Sequence, residues 1–296
     1  MKQSTKQYVR AGAAALVLLG VVLVPRVSRA WGIEYQDTYV SIRGLWQDKQ
    51  PGYAGNVQEI AGNISYANGW TYGSNFVSLD LEDFSKPDYA NSVTGHATSN
   101  SFEFYGVFRT VLSGNKITGS HMFSFGPIRD IGLEIGGDID TQDDQFASYK
   151  RLVIVGPQFA FDLPKGFLNL TVGLSHEWNT NAYLPNGNST NFDTTYEFEV
   201  AWAYPFNLGP VPLNFTGFGN FIGPKGRGAT GDFYHRVEIL MHPKLMVDVG
   251  SLIGYTPKKL EAGIGYEYWH NKFGNVPEHL PGTEQNAVFF EIGYHF

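Results

Sequence analysis

Residues 287–296 read Ala-Val-Phe-Phe-Glu-Ile-Gly-Tyr-His-Phe. Val288, Phe290, Ile292, Tyr294 and Phe296 share one parity, and Ala287, Phe289, Glu291, Gly293 and His295 share the other. Successive side chains of a strand point to opposite faces, so one face is wholly apolar and the other mixed. A strand of about ten residues with an apolar outer face, a mixed inner face and aromatics at its end is the unit of a transmembrane β-barrel. The remaining strands should then lie upstream, and the terminal Phe296 is expected to act as an assembly signal.

The alternation recurs along the chain. Residues 39–46 set Val40, Ile42 and Trp46 against Ser41, Arg43 and Leu45. Residues 57–66 set Ile60, Ile64 and Tyr66 against Glu59, Asn63 and Ser65, and Asn68-Gly69 then predicts a two-residue hairpin. Residues 70–81 return with Val77, Leu79 and Leu81 opposite Phe76, Ser78 and Asp80. Residues 101–112 place Phe102, Phe104 and Phe108 against Glu103, Tyr105 and Arg109; residues 128–138 place Ile131, Leu133 and Ile135 against Asp130, Gly132 and Glu134. Residues 151–161 are apolar on both parities in places, which leaves their facing open. Residues 167–178, 195–204, 213–221 and 260–270 alternate again, with Glu177, Glu199, Asn220, Glu267 and Trp269 on the polar parity. Residues 236–255 read as one long bent strand interrupted by Pro243, with Val247, Val249 and Ile253 outward and Asp248 inward.

With the last strand this makes twelve, an even number as bacterial single-chain barrels require. The connections sort as well. Those near 47–56, 83–100, 139–148, 179–194, 223–235 and 271–285 are long and rich in Gly, Asn, Asp and Pro. The alternate ones, at 68–69, 162–166, 206–210 and 256–258, are short, and only 113–127 is long where a short turn is expected. Long external loops and short periplasmic turns have this pattern, which puts both termini in the periplasm. A secreted β-sandwich competes, but its outward polar face should be rich in Lys, Thr and Ser. Here the polar parity carries Gly, Asn and carboxylates.

Lys2, Lys6 and Arg10 precede the apolar run 11–24, and Ser28-Arg29-Ala30 follows Pro25. This predicts a signal peptide over residues 1–30, because the run falls short of the roughly twenty residues a spanning helix needs. The barrel would occupy residues 31–296, multi-pass in the bacterial outer membrane. Five of the 21 Lys/Arg lie in residues 1–30 with no acid, so the rest holds 16 basic and 28 acidic residues, a net charge of −12. That argues against nucleic acid as a partner. The absence of Cys rules out disulfides and thiolate metal sites.

No catalytic or metal-binding constellation emerges, and no cofactor is implied. His235 and His242 flank Glu238 but stand seven apart. Gly223–Gly228 lacks a helix to complete a phosphate site, and Ser175-His176 should point to opposite faces. The chain is therefore not expected to be an enzyme, although cross-strand Ser/His pairs leave an outer-membrane lipid hydrolase as a competing reading. The informative set is the inward parity: Arg43, Glu59, Phe76, Asp80, Glu103, Tyr105, Arg109, Glu134, Glu177, Glu199, Glu267, Trp269, Phe289 and Glu291. These either brace the wall or line a permeation path in which rings stack a planar solute and polar groups bond its edges. An acidic lumen would disfavour anionic nucleotides and tolerate neutral nucleosides.

Three blocks resemble the nucleoside-specific, Tsx-type channel family of outer-membrane proteins and its OmpK relatives. They are residues 39–46 with Gln50-Pro51-Gly52, then Phe123-Ser-Phe-Gly-Pro-Ile-Arg-Asp130, and Gly265-Tyr-Glu-Tyr-Trp-His-Asn-Lys-Phe-Gly274 before the last strand. The last is the most specific, and the order suits the family across nearly the whole mature chain. The resemblance implies a monomeric twelve-stranded barrel with a narrow lumen, passive diffusion of nucleosides, outer-membrane lipid around it and, for some members, phage at the external loops. It also accounts for 113–127, since relatives carry a long connection there. The blocks do not assign nucleoside contacts residue by residue. The competing reading from another class is a non-transporting surface receptor with a plugged lumen.

Overall fold

The computed structural model describes residues 32–85, 101–142, 148–181, 189–228 and 233–296. The predicted signal peptide lies outside the described residues. Twelve long strands form one sheet: β1 (Ile33–Asp48), β2 (Val57–Trp70), β3 (Gly73–Phe84), β4 (Ser101–Ser113), β5 (Ile128–Gln142), β6 (Tyr149–Phe161), β7 (Phe167–Thr180), then, after the two-residue β8 (Thr190–Asn191), β9 (Thr195–Leu208) and β10 (Val211–Ile222). A small hairpin, β11 (Gly226–Arg227) with β12 (Tyr234–His235), precedes β13 (Glu238–Asp248), β14 (Leu260–His270) and β15 (Gln285–His295).

Each long strand pairs antiparallel with its neighbours in sequence, and β15 returns to β1, with Tyr39 opposite His295 and Leu45 opposite Phe289. The sheet is thus a closed barrel. Closure matters because lipid offers no hydrogen-bond partner to an open strand edge.

Burial along β15 shows which solvent surrounds it. Val288, Phe290 and Ile292 are more than half exposed, whereas Ala287, Phe289 and Glu291 are buried. Ile42, Ile60, Val153 and Leu174 are exposed in the same way, while Glu59, Glu103, Lys150 and Glu197 are buried. Apolar outside and charged inside inverts the arrangement of a water-soluble protein. It is the arrangement of a barrel whose outer face meets hydrocarbon.

Register settles the two open strands. Lys150 opposes Asp140, and Leu152 opposes both Asp138 and Glu177, so the even residues of β6 face the lumen. Arg151, Val153 and Val155 point outward. Their apolar neighbours Leu152 and Ile154 are almost fully buried inside the barrel. β13 ends at Asp248, and the turn helix α1 (Val249–Leu252) follows, capped by the Asp248 carboxylate on the Ser251 amide. The single bent strand over 236–255 is therefore corrected. Val247 does face outward and Asp248 inward, but Val249 and Ile253 belong to the turn. Pro243 is accommodated because the ladder to β14 skips His242 and Pro243.

Asn68-Gly69 is not the hairpin. Both residues pair within β2, and the chain turns at Thr71–Tyr72 instead. Asn68 accepts a hydrogen bond from Asn75 Nδ2 across the ladder (3.1 Å), which satisfies its side chain without a turn. The long 114–127 connection is an ordered lobe around the five-residue helix Gly114–Thr118. Ser113 caps that helix, and Asp130 accepts from both Ser113 Oγ and the Asn115 amide. Asn115 Nδ2 donates to Ser124 Oγ, and its Oδ1 accepts from the Phe123 amide. This is why a connection at the short-turn end tolerates such length.

The facing of β6 has a direct test. Val155→Arg puts a charge on the lipid face and should cost about 2–4 kcal/mol in urea unfolding from lipid vesicles if the site lies near the bilayer midplane. Costs near zero for both Val155→Arg and Val153→Arg, the two outward positions at the middle of β6, would count against this facing.

Candidate permeation path

Every residue singled out on the inward parity does face the lumen, as the ladders require. They do not form one site. At the loop end, Glu59, Glu103, Glu267 and Trp269 belong to a tier of closely bonded side chains. Gln142 Nε2 donates to Glu103 (2.6 Å), Gln285 Nε2 to Glu267 (2.7 Å) and Trp269 Nε1 to Glu238 (2.8 Å). His242 Nδ1 lies 3.1 Å from the other Glu267 oxygen. Two buried lysines from the connections complete this tier. Lys225 pairs with Glu177 (2.5 Å), and Lys272 reaches Asp48, Gln285 and the Lys49 carbonyl. Neither lysine was marked by strand periodicity, because both come from loops that fold inward.

At mid-barrel two arginines organise the carboxylates. Arg43 bonds Asp80 (2.9 Å), Glu82 (2.7 Å) and Glu59 (3.4 Å), all within three adjacent strands. Arg109 does something different. Its Nε and Nη2 hold both oxygens of Glu199 at 2.9 and 2.5 Å, and its Nη1 holds Asp138 at 2.7 Å. β4 and β9 stand four strands apart in the ring, so this fork spans a chord of the lumen. Gly136 makes the crossing possible, since a Cβ there would collide with Arg109 Cδ. Bidentate charged pairs combine strength with fixed geometry.

The strut divides the interior. On the side of β5, β6 and β7, Glu134, Ile154 and Thr171 are all buried, as is Glu197 on β9, and solvent is excluded. On the other side, among the described residues, two rings stay open. Phe76, the register partner of Arg109, is 40% exposed, and Phe218, opposite Ala201 just below Glu199, is 41% exposed. β3 and β10 are six strands apart, on opposite sides of a twelve-strand ring. Both rings face inward, so their exposure marks free lumen between them. Phe218 stacks on His242 (5.0 Å, 20°), which rests against the buried Phe289 (4.4 Å).

Tyr105 is committed elsewhere. Its hydroxyl bonds Asp138 (3.1 Å), and its ring lies 5.5 Å from Lys150 Nζ. Below the strut, Tyr39 and Lys244 share Glu291, and His295 sits between Asp37 and Glu261. Among the described residues no group of three His, Asp or Glu side chains could hold a metal ion. Ser175 is buried in the lumen, while His176 bonds Thr194 and Asn191 outside it, so the two do not form a catalytic pair.

The fold, its apolar girth and its charged interior define a multi-pass outer-membrane β-barrel. No protein-family model matches the chain, and no curated protein does. Among solved structures, the translocator domain of the autotransporter NalP from Neisseria meningitidis aligns at 13% identity and TM-score 0.43, over 99% of this chain and 98% of that one. The NanC porin aligns at 13% and 0.41, and the KdgM porin at 10% and 0.38, each over 87% of this chain and 98% of the other. An autotransporter translocator domain and two porins are thus similar to it at comparable levels, and the likeness carries no function.

Two measurements probe this interior. Arg109→Met should cost about 3–5 kcal/mol, because it removes the cation that pairs the buried Asp138 and the partly enclosed Glu199. Combined with Glu199→Gln it should show a coupling of about 0.5–3 kcal/mol in a double-mutant cycle, and strict additivity would mean that the strut carries no interaction energy. At the loop end, His235 packs on Phe192 (4.8 Å) beyond the barrel wall, and burial together with the Lys225 charge pushes it down to about 4. A depressed histidine contributes fully above its ordinary value near 6.5, and that contribution is lost as pH falls from there towards 4. Proteolysis of the external loops should accelerate across that window, and His235→Gln should flatten the dependence.

Proposed function

We propose that the barrel is a narrow passive channel for small neutral solutes, with nucleosides as its foremost substrates. The observation that supports this most is the pair of exposed lumen rings, Phe76 and Phe218, on the open side of the Arg109–Glu199 strut. Twelve strands enclose more than the eight-strand interior that side chains alone fill. The strut narrows that space rather than leaving a wide pore.

A planar base fits such a gap by stacking on either ring. Sugar hydroxyls would find acceptors in the mid-barrel carboxylates and donors in Arg43. The described lumen holds more carboxylates than cations, so an anionic nucleotide meets repulsion that a nucleoside does not. Permeation also requires weak binding in series, and single stacking platforms supply contacts of that strength. The barrel closes within one chain, so a monomer suffices for the path.

The densely bonded loop-end tier favours the second reading, a surface receptor with a closed lumen. Planar-bilayer recording separates the two. The channel reading expects openings that nucleosides block in a concentration-dependent manner. Phe76→Ala and Phe218→Ala should each weaken block by about 1–3 kcal/mol, the range for a base stacked on an aromatic ring. Tyr105→Ala should instead destabilise the wall, since that ring braces Lys150. Openings without any nucleoside block would remove the substrate assignment, and no openings at all would leave the receptor.

A further inference from the structure

The connection between β14 and β15 does not stay outside the barrel. Its turn Lys272–Gly274 is folded into the mouth, with Lys272 and Gly274 buried. Lys272 Nζ is enclosed by Gln285 Oε1 (3.1 Å), the Lys49 carbonyl (2.9 Å), Asp48 (3.5 Å) and the Trp269 ring (4.4 Å). Burial alone would lower its affinity for a proton, but Asp48 and Glu267 outweigh that and raise it, so the lysine stays charged in its cage.

The cage aims the next side chain. Phe273 lies 5.0 Å from Trp269 on its own side and 5.8 Å from Lys150 Nζ on β6. β6 and β14 are five strands apart by the shorter way round, so the turn bridges most of the mouth. The backbone is forced to do this. Asn271 (φ 51°) and Phe273 (φ 60°) both adopt left-handed conformations, which Asn tolerates and a bulky ring does not.

The turn is also tied on all sides. The Lys272 amide donates to Thr283 O (2.8 Å), the Arg236 amide to Gly274 O (2.8 Å) and Asn271 Nδ2 to Val237 O (2.8 Å). The same connection takes the Gly52 amide on Pro281 O and stacks His279 on Phe233. Three connections are thereby interlocked, and a segment held this way does not swing freely.

We propose that the Lys272–Gly274 turn is a fixed external filter in series with the mid-barrel strut, in which Phe273, facing Lys150, sets the size limit for solutes entering from outside. The inference rests on the channel reading and adds a second selectivity element to it. The strut sorts by charge and by stacking, whereas the turn sorts by bulk. Lys272 is the positioning residue, and Phe273 is the one a passing solute meets.

Liposome swelling with the folded full-length barrel tests this, using a pentose, a nucleoside and a disaccharide. Phe273→Ala should admit the disaccharide several-fold faster relative to the pentose, and Phe273→Leu should change that ratio far less. Lys272→Met should shift the ratio in the same direction as Phe273→Ala. Heat-modifiable gel mobility confirms folding, and should Lys272→Met fail to fold, the two Phe273 variants decide alone. A ratio unchanged in folded Phe273→Ala overturns the filter. Swelling by Phe273→Ala but not by the wild type supports it and means that the turn closes the resting barrel. Swelling in neither overturns both proposals. A shifted ratio without nucleoside block in bilayers supports the filter and removes only the substrate assignment.

Discussion

Lipid will not hydrogen-bond a peptide group, and every feature of this protein answers to that. β1 must meet β15, because any gap would leave a strand edge open in hydrocarbon. The meeting is in register over Tyr39–Leu45 and His295–Phe289, which places Arg43 beside Glu291 and Leu45 beside Phe289 on the inner face. Closure thereby decides which side chains share the lumen. It also obliges the interior to hold whatever polar groups the alternation excludes from the outside.

That interior is crowded with carboxylates, and the few cations are spread with economy. Arg43 and Arg109 each collect three acidic neighbours, and Lys225, Lys244 and Lys272 each bridge groups on separate elements. Buried pairs of this kind add little net stability relative to apolar packing, but breaking one leaves a stranded charge. Their role here is geometric. Arg109 turns a round lumen into a buried side and an open side, and Lys272 holds a loop inside the mouth. Two cations thus shape the interior at two levels.

Strand periodicity recovered the wall well. Arg43, Glu59, Asp80, Glu134 and Glu267 all lie on the lumen face that alternation assigns them, because a slip of one residue would put them into lipid. Sequence and structure part where periodicity says nothing. Asn68-Gly69 carries a turn signal, yet Asn75 satisfied Asn68 across the ladder. Residues 236–255 looked continuous because the α1 turn is itself apolar. Phe218 is absent from the inward set that alternation gives, and His242 stands out in the sequence only beside Glu238 as a metal-ligand candidate: an aromatic on the polar parity carries no mark of which ring stays open, and exposure depends on what lies across the barrel.

The sequence by itself determined the solvent on each side of the wall, the number of strands and the facing of those with a clean alternation, since a period of two survives any detail of packing; the facing of 151–161 and the end of the 236–255 strand came from register. It also implied an acidic lumen and an aromatic last strand. Only the tertiary structure decided which charges meet. Arg109 and Glu199 are 90 residues apart and touch because four strands of curvature bring them across a chord. Lys272 and Lys225 enter the lumen from loops that have no alternation to read. Contacts across a barrel depend on tilt, closure and loop folding together, and no local pattern in the chain encodes them.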